Sequence, residues 1–338
     1  MHPEIQHRIF CVADKPYCVW GWDLQDRNAQ FIRDIDPDYF EYVALKHASD
    51  LQDGNSQRAA TAIRQNYYLC LETLFGLIGA LLQAPDCVAG WVLKASTGQI
   101  RSVADSLAHD RLRFPVKWTG TPPIRGFDDV ARLTLEAVEW PNETGSETQN
   151  RFGKLWYRLA ADFLDAISID EYNSIKHGFR ARAGGFRLSM GMQEDPSKPA
   201  PPDKMRDLGG SEFGSSFYAA EPVDNAPTSS TDPHFMLRRR ACNWYPNATA
   251  DRTVLAAISI ANIRSFLSLK CGLKSSEVRF DRPDDPASFD NPWTKYPGVS
   301  SVSMDLTVDE RQIKRIPTRE LRGIVAHSTG VQPQPGAD

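Results

Sequence analysis

The strongest pattern along the chain is a three-and-four repeat of apolar residues, Ile63, Tyr67, Cys70, Leu74, Leu77 and Leu81, within a span from about 57 to 84. That spacing puts them on one face of an α-helix. In its second half Leu71, Phe75, Ile78 and Leu82 fill the remaining faces. A helix apolar on every side belongs in the middle of a bundle. Gly76, Gly79 and Ala80 cost helix propensity but would let a neighbouring helix approach closely, within the monomer or across a homodimer. Pro85 ends the run, because the residue before a proline is driven out of the α region.

Weaker periodic segments surround this span. Asp36-Pro37-Asp38 offers a helix start, with proline in the first helical position, for a helix to about His47. After a short turn at Pro85 a helix from about Cys87 to His109 would lie antiparallel to the long one. Phe127 to Glu139 and Glu147 to Ser168 follow, the latter with Phe152, Leu155, Trp156, Leu159, Phe163 and Ile167 on one stripe. Asp170 is placed to cap a further short helix that stops at Gly178. A last helix opens at Thr249 or Asp251 and runs to Cys271. Between them, 184–246 changes period. Phe186, Leu188, Met190 and Met192 alternate as a half-buried strand does, and 216–223 and 235–245 read as further strands. The polar, proline-containing 194–212 reads as a mobile loop, and the aromatic stretch 1–35, with Phe10, Tyr17, Trp20 and Trp22, as short strands or an arm.

The fold class this predicts is mainly α: a bundle of about five helices, built from 37–180 and 249–272, with a small antiparallel β insertion at about 184–246 before the last helix. The implied organisation is an arm plus first helix (1–50), the bundle (51–272) and a coil-rich C-terminal extension (273–338) with a disordered tail from about 328.

Composition narrows the function classes. With 41% hydrophobic and 24% charged residues, a sizeable core can form. Net charge is −4, so nucleic acid would have to meet a local basic patch rather than a global field. Six cysteines form no Cys-x-x-Cys pair and none sits at zinc spacing with a histidine. The expectation is free thiols, a cytoplasmic location, and no metal or cofactor. Tyr67 to Ala84 is about long enough to span a bilayer, but Glu72 and Gln83 within it favour a buried core helix and no membrane. No Walker loop, nucleophile elbow or His-Glu-x-x-His motif is present.

Candidate chemistry gathers in Glu171-Tyr-Asn-Ser-Ile-Lys-His-Gly-Phe-Arg180 and the following Arg182. Lys176 and His177 suit the negative end of a helix, and Gly178 a left-handed stop. Asn173, one turn before His177, with Arg180 and Arg182 just beyond, could converge on an anion: Asn173 and His177 in a catalytic role, Lys176, Arg180 and Arg182 on phosphate. Arg238-Arg239-Arg240 lies in a predicted strand, where alternation puts Arg238 and Arg240 on one face and Arg239 on the other. It reads as a solvated or edge-guarding strand or, with Trp244 and Tyr245 nearby, as a basic stripe for single-stranded nucleic acid.

The long apolar helix opening with Arg64-Gln-Asn-Tyr-Tyr68 and the element Tyr172-Asn-Ser-Ile-Lys-His-Gly178 together resemble the HEPN superfamily, over residues 57–180 and with 249–272 as a closing helix. The resemblance implies a helical bundle that is either a ribonuclease of toxin or defence systems or a non-catalytic binding module. The family's catalytic signature is an Arg, a polar residue and a His, with four to six residues between Arg and His. Upstream of His177 those positions hold Asp170, Glu171 and Tyr172, and the one match, Arg322 to His327, carries Gly in the polar place. The expectation is therefore a HEPN-like module binding a protein or nucleic-acid partner, with a ribonuclease or nucleotide-modifying enzyme built on His177 as the alternative.

Overall fold

The computed structural model describes residues 5–21, 23–52, 54–118, 123–140, 144–178, 180–193, 198, 200–222 and 235–305. The protein is mainly α. The long apolar helix forms as α3, Ser56–Gln83, and its last turn closes with the Ala84 amide donating to the Ala80 carbonyl just before Pro85. Ile63, Leu71, Leu74, Phe75, Ile78, Leu81 and Leu82 are all fully buried, as a helix apolar on every face requires. Along one side of α3 lie α2, Pro37–Ser49, and the second long helix α9, Pro246–Lys270. By length and composition α9 is the one helix among the described residues that would pass for a membrane span, yet 67% of its most apolar window is buried inside the protein. It is a core helix here.

On the other side of α3 pack α5, Thr97–Ala108, and α7, Gly145–Leu164, with α6, Phe127–Leu135, against α7. The helix expected over 87–109 is broken into α4, Val88–Lys94, and α5. Ala95 and Ser96 are extended between them, and Ser96 starts α5 with a reciprocal cap on Gln99. The break lets α4 turn Trp91 inward. Its indole fills the space a Cβ at Gly79 would need and donates to the Gln83 side-chain oxygen. Gly79 thus makes room for a tryptophan. Gly76, whose Cβ would meet nothing closer than 3.8 Å, serves no close approach within the described chain.

Other boundaries move for local reasons. The arm contains a hairpin of β1, Gln6–Val12, and β2, Lys15–Gly21, and also an unexpected helix α1, Leu24–Asp34. With a second break at 165, the described residues hold nine α-helices rather than about five. At that break Asp165, not Asp170, caps α8, Ala166–Lys176, accepting from the Ser168 amide at 2.8 Å. Helix α9 begins at Pro246, earlier than expected, because proline occupies its first turn.

The β part is larger than predicted. A four-stranded antiparallel sheet has the order β3 (Arg182–Ala183), β6 (Gly214–Pro222), β7 (Phe235–Asn243), β8 (Ser301–Asp305). Its fourth strand comes from beyond α9. A separate hairpin pairs β4, Arg187–Gly191, with β5, Met205–Gly210, so part of the expected loop 194–212 is strand. The expected disordered tail and the Arg322–His327 match fall outside the described residues.

Candidate nucleic-acid interface

A completely buried carboxylate is the hub that fastens the sheet to the helices. It belongs to Glu171, in α8. One of its oxygens accepts from Arg64 Nε at 3.0 Å, Arg64 Nη2 at 2.9 Å and the Tyr68 hydroxyl at 2.8 Å. The other accepts from the Ser215 hydroxyl at 2.5 Å and the Trp244 indole at 3.0 Å. Burial alone would raise the Glu171 carboxyl, but the Arg64 charge and the Ser215 and Tyr68 hydroxyls outweigh it and hold the group below its ordinary value. Arg64 in turn is held protonated against its own desolvation by Glu171. The neighbouring Cys242 thiol is pushed up to about 12, first by burial and then by Glu171. It is therefore an inert core thiol rather than a nucleophile.

This anchoring decides which face of the sheet is free. Ser215, Phe217 and Ala219 of β6 are buried against α8, and the intervening Ser216, Tyr218 and Ala220 point away. On β7, Arg240 shares the inner face and pairs with Asp170 of α8 at 2.7 Å, so Arg239 lies on the outer one. Register brings the outer residues together: Tyr218 sits opposite Arg239, and Ser216 opposite Arg182 of β3. Tyr218 is 58% exposed, and Arg182 and Arg239 have no ion pair or hydrogen bond among the described residues. No acidic residue occupies an outer position of β3, of β6 from Gly214 to Ala220, or of β7 from Leu237 to Ala241. From strand spacing and rise the two arginine Cα atoms lie about 12 Å apart with the tyrosine between them.

The residues singled out in the sequence are divided by this geometry. His177 and Lys176 are exposed at the end of α8, where Gly178 has φ +106° as a left-handed stop needs. Lys176 is drawn to Glu72 at 3.3 Å and lies over the Tyr172 ring. Asn173 is half-buried one turn earlier, and neither its side chain nor the His177 ring has a hydrogen-bond partner among the described residues. Arg180 follows, exposed, its amide donating to the Ser174 carbonyl at 2.7 Å. Of the five, Arg182 alone belongs to the outer sheet face, with Arg180 leading into it.

Two expectations about the arginine run are corrected. Strand β7 is interior, paired on both sides, so it guards no edge. Trp244 is buried as a donor to Glu171 and cannot stack on a ligand. The exposed ring beside Arg239 is Tyr218, which sequence reasoning missed. The period-two alternation around Phe217 was the only signal for it, and nothing in the sequence told which strand would be its neighbour. The Glu171 anchor was missed for the same reason, since its partners lie at 64, 68, 215 and 244.

Comparison of the chain with protein-family models, curated proteins and solved structures found no match.

Proposed function

We propose that the chain is a non-enzymatic binding module, a helical bundle of the HEPN-like type its sequence resembles, that holds single-stranded nucleic acid on the outer face of its sheet. The bundle reading rests on α3, whose second half is buried by α2, α5, α7 and α9. The nucleic-acid reading rests on one observation: an acid-free strand face with an exposed tyrosine between two arginines that have no ion pair or hydrogen bond among the described residues. A guanidinium without an internal acceptor is available to a phosphate, and an exposed ring on a rigid sheet offers every base a stacking surface. Because net charge is −4, attraction would be local and confined to this face. The ribonuclease alternative has less support, because His177 and Asn173 sit at the end of α8, off the strand face that carries Arg182 and Arg239, and neither side chain has a hydrogen-bond partner among the described residues to orient it.

The test is anisotropy of a labelled twelve-nucleotide oligouridine at several salt concentrations. Binding should weaken with salt, and Arg182→Gln or Arg239→Gln should each lower the slope of log K against log salt by about 0.7, one phosphate's share on a single strand. Tyr218→Ala should cost about 1–3 kcal/mol of binding. Salt-independent binding, or binding unaffected by all three substitutions, would refute the proposal and favour a protein partner.

A further inference from the structure

A pocket of about 320 Å³ lies where the β1–β2 hairpin, the turn at Pro85 and the C-terminal end of α9 meet, with Arg8, Asn28, Asp86, Trp118, Lys270 and Cys271 in its walls. At about 30 Å³ per water it holds roughly ten waters, which puts it at the small end of the roughly 300–1,000 Å³ usual for ligand pockets.

Alternation along β1 turns Phe10 and Val12 into the core and carries Arg8 to the same side at the start of the strand. Arg8 Nε stands 3.8 Å from an Asp86 oxygen, too far for a hydrogen bond, and Nη1 donates to the His7 carbonyl at 3.2 Å. The facing wall is the end of α9. There the Lys270 ammonium lies 5.1 Å from the centre of the Trp118 ring, which is fixed by its indole donating to the Leu81 carbonyl at 2.7 Å. The two walls meet at the buried Asn28, whose Nδ2 reaches both the Pro85 carbonyl at 3.3 Å and the Cys271 sulfur at 3.5 Å. Asp86 and Lys270 are the chain neighbours of the two groups that this single amide joins. The thiol reports the same closeness. Burial pushes Cys271 up, the Asn28 hydrogen bond opposes the rise, and the Asp86 charge adds to it.

The charges around the pocket do not cancel. Among the described residues that line it, Asp86 is the one acid, and Lys117 already holds that carboxylate at 2.5 Å. Arg8, Lys117 and Lys270 thus bring three positive charges against one negative. Lys270 has no ion pair or hydrogen bond among the described residues, and Arg8 Nε and Nη2 have no hydrogen-bond acceptor there. The negative end of α9 supplies no substitute, because the Leu267, Ser268 and Leu269 carbonyls accept from the amides of Cys271, Leu273 and Gly272. Two positive charges remain, one on each side of a narrow pocket.

We propose that this pocket receives the dianionic phosphate of a small phosphate monoester, held between the Arg8 guanidinium and the Lys270 ammonium. A guanidinium fork can meet two oxygens of one phosphate, and a dianion balances the two residual charges where a carboxylate would leave one over. The site does not rest on the nucleic-acid reading, since β1, the Pro85 turn and the end of α9 contribute nothing to the four-stranded sheet.

Calorimetric titration with glycerol 3-phosphate and with acetate tests it, at constant ionic strength and at pH 8, where a phosphate monoester with a second pKa of about 6 is a dianion. Glycerol 3-phosphate should bind saturably, and acetate at least tenfold more weakly. Lys270→Met, at an exposed position and with folding checked by circular dichroism, should weaken the ester about tenfold or more, as loss of a charge-assisted hydrogen bond does. Asp86→Asn should tighten it about threefold or more by removing the one like charge, an effect of opposite sign to any loss of structure. Tyr218→Ala and Arg239→Gln should leave it unchanged, which separates this pocket from the sheet face. Flotation with phosphatidylcholine vesicles that contain phosphatidic acid, lost in Lys270→Met, would identify a lipid as the carrier of the phosphate, and its absence a free ester. No saturable binding of glycerol 3-phosphate, equal binding of acetate, an unchanged affinity in Lys270→Met, an unchanged or weaker one in Asp86→Asn, or loss of binding in Arg239→Gln would each overturn the proposal.

Discussion

Replacing Glu171 by leucine tests the anchor between sheet and helices. The substitution leaves Arg64, with a side chain only 10% exposed, as a buried charge with no counter-ion. It also removes the acceptor of the Tyr68 and Ser215 hydroxyls and the Trp244 indole. Removing one member of a buried ion pair costs about 3–5 kcal/mol, and each orphaned buried donor about 1–3 kcal/mol, though these losses are not additive. A loss of at least about 3 kcal/mol is expected, a large part of the roughly 5–15 kcal/mol that stabilises a typical domain. Equilibrium urea unfolding followed by far-ultraviolet circular dichroism and tryptophan fluorescence measures it. The informative comparison is Arg64→Met on top of Glu171→Leu. With both charges gone the site becomes apolar, and replacing a whole buried pair is often neutral or stabilising. The double variant should therefore recover most of the loss. A single-variant loss below about 1 kcal/mol, or a double variant less stable than the single, would refute the reasoning.

Further outcomes follow from the same structure. The Arg64 charge and the Ser215 and Tyr68 hydroxyls hold the Glu171 carboxyl below its ordinary value, so its contribution is complete above that ordinary value and disappears as pH falls through the lowered folded one. Acid unfolding of the Arg64→Met, Glu171→Leu protein should accordingly be less steep than that of the wild type, and an identical acid limb would count against the assignment. Gly79→Ala should lower stability by about 1–3 kcal/mol through overpacking on Trp91, whereas Gly76→Ala should raise it by about 0.5–1 kcal/mol through helix propensity, both read from urea midpoints. His177→Ala, at an exposed position without a side-chain partner, should change stability by no more than about 0.5 kcal/mol and leave oligouridine binding as it was.

Much of the helical part was legible because it rests on local signals. Pro37 and Pro85 mark ends that a sequence reader can see, and the second half of α3, apolar on every face but broken by Glu72, favoured a core helix. The break at Ala95–Ser96 had a local signal that the sequence reading did not use, Ser96 with Gln99 three residues on. What the sequence did not show is the docking of Trp91 over Gly79 that the break accompanies. Helix α1 was hidden by its low apolar content and by the aromatic residues before it. In the sheet, alternation correctly put Arg239 opposite in sense to Arg238 and Arg240, but pairing is not a local property. That β8 joins β7 from beyond α9, making the arginine strand interior, depends on contacts some sixty residues apart. The candidate face was half visible for the same reason: Arg182 and the arginine run could be named from sequence, while Tyr218 and the distance between the two arginines exist only once β6 lies between them.

The most direct test of the central claim is photocrosslinking of a 4-thiouridine-substituted twelve-mer to the intact chain, with the attached peptides identified by mass spectrometry. The account predicts crosslinks within 214–222 and 235–243, lost in Tyr218→Ala. Crosslinks confined to the end of α8 around His177 or to the head of α9, or none above the level of a scrambled mixture with unfolded protein, would contradict it.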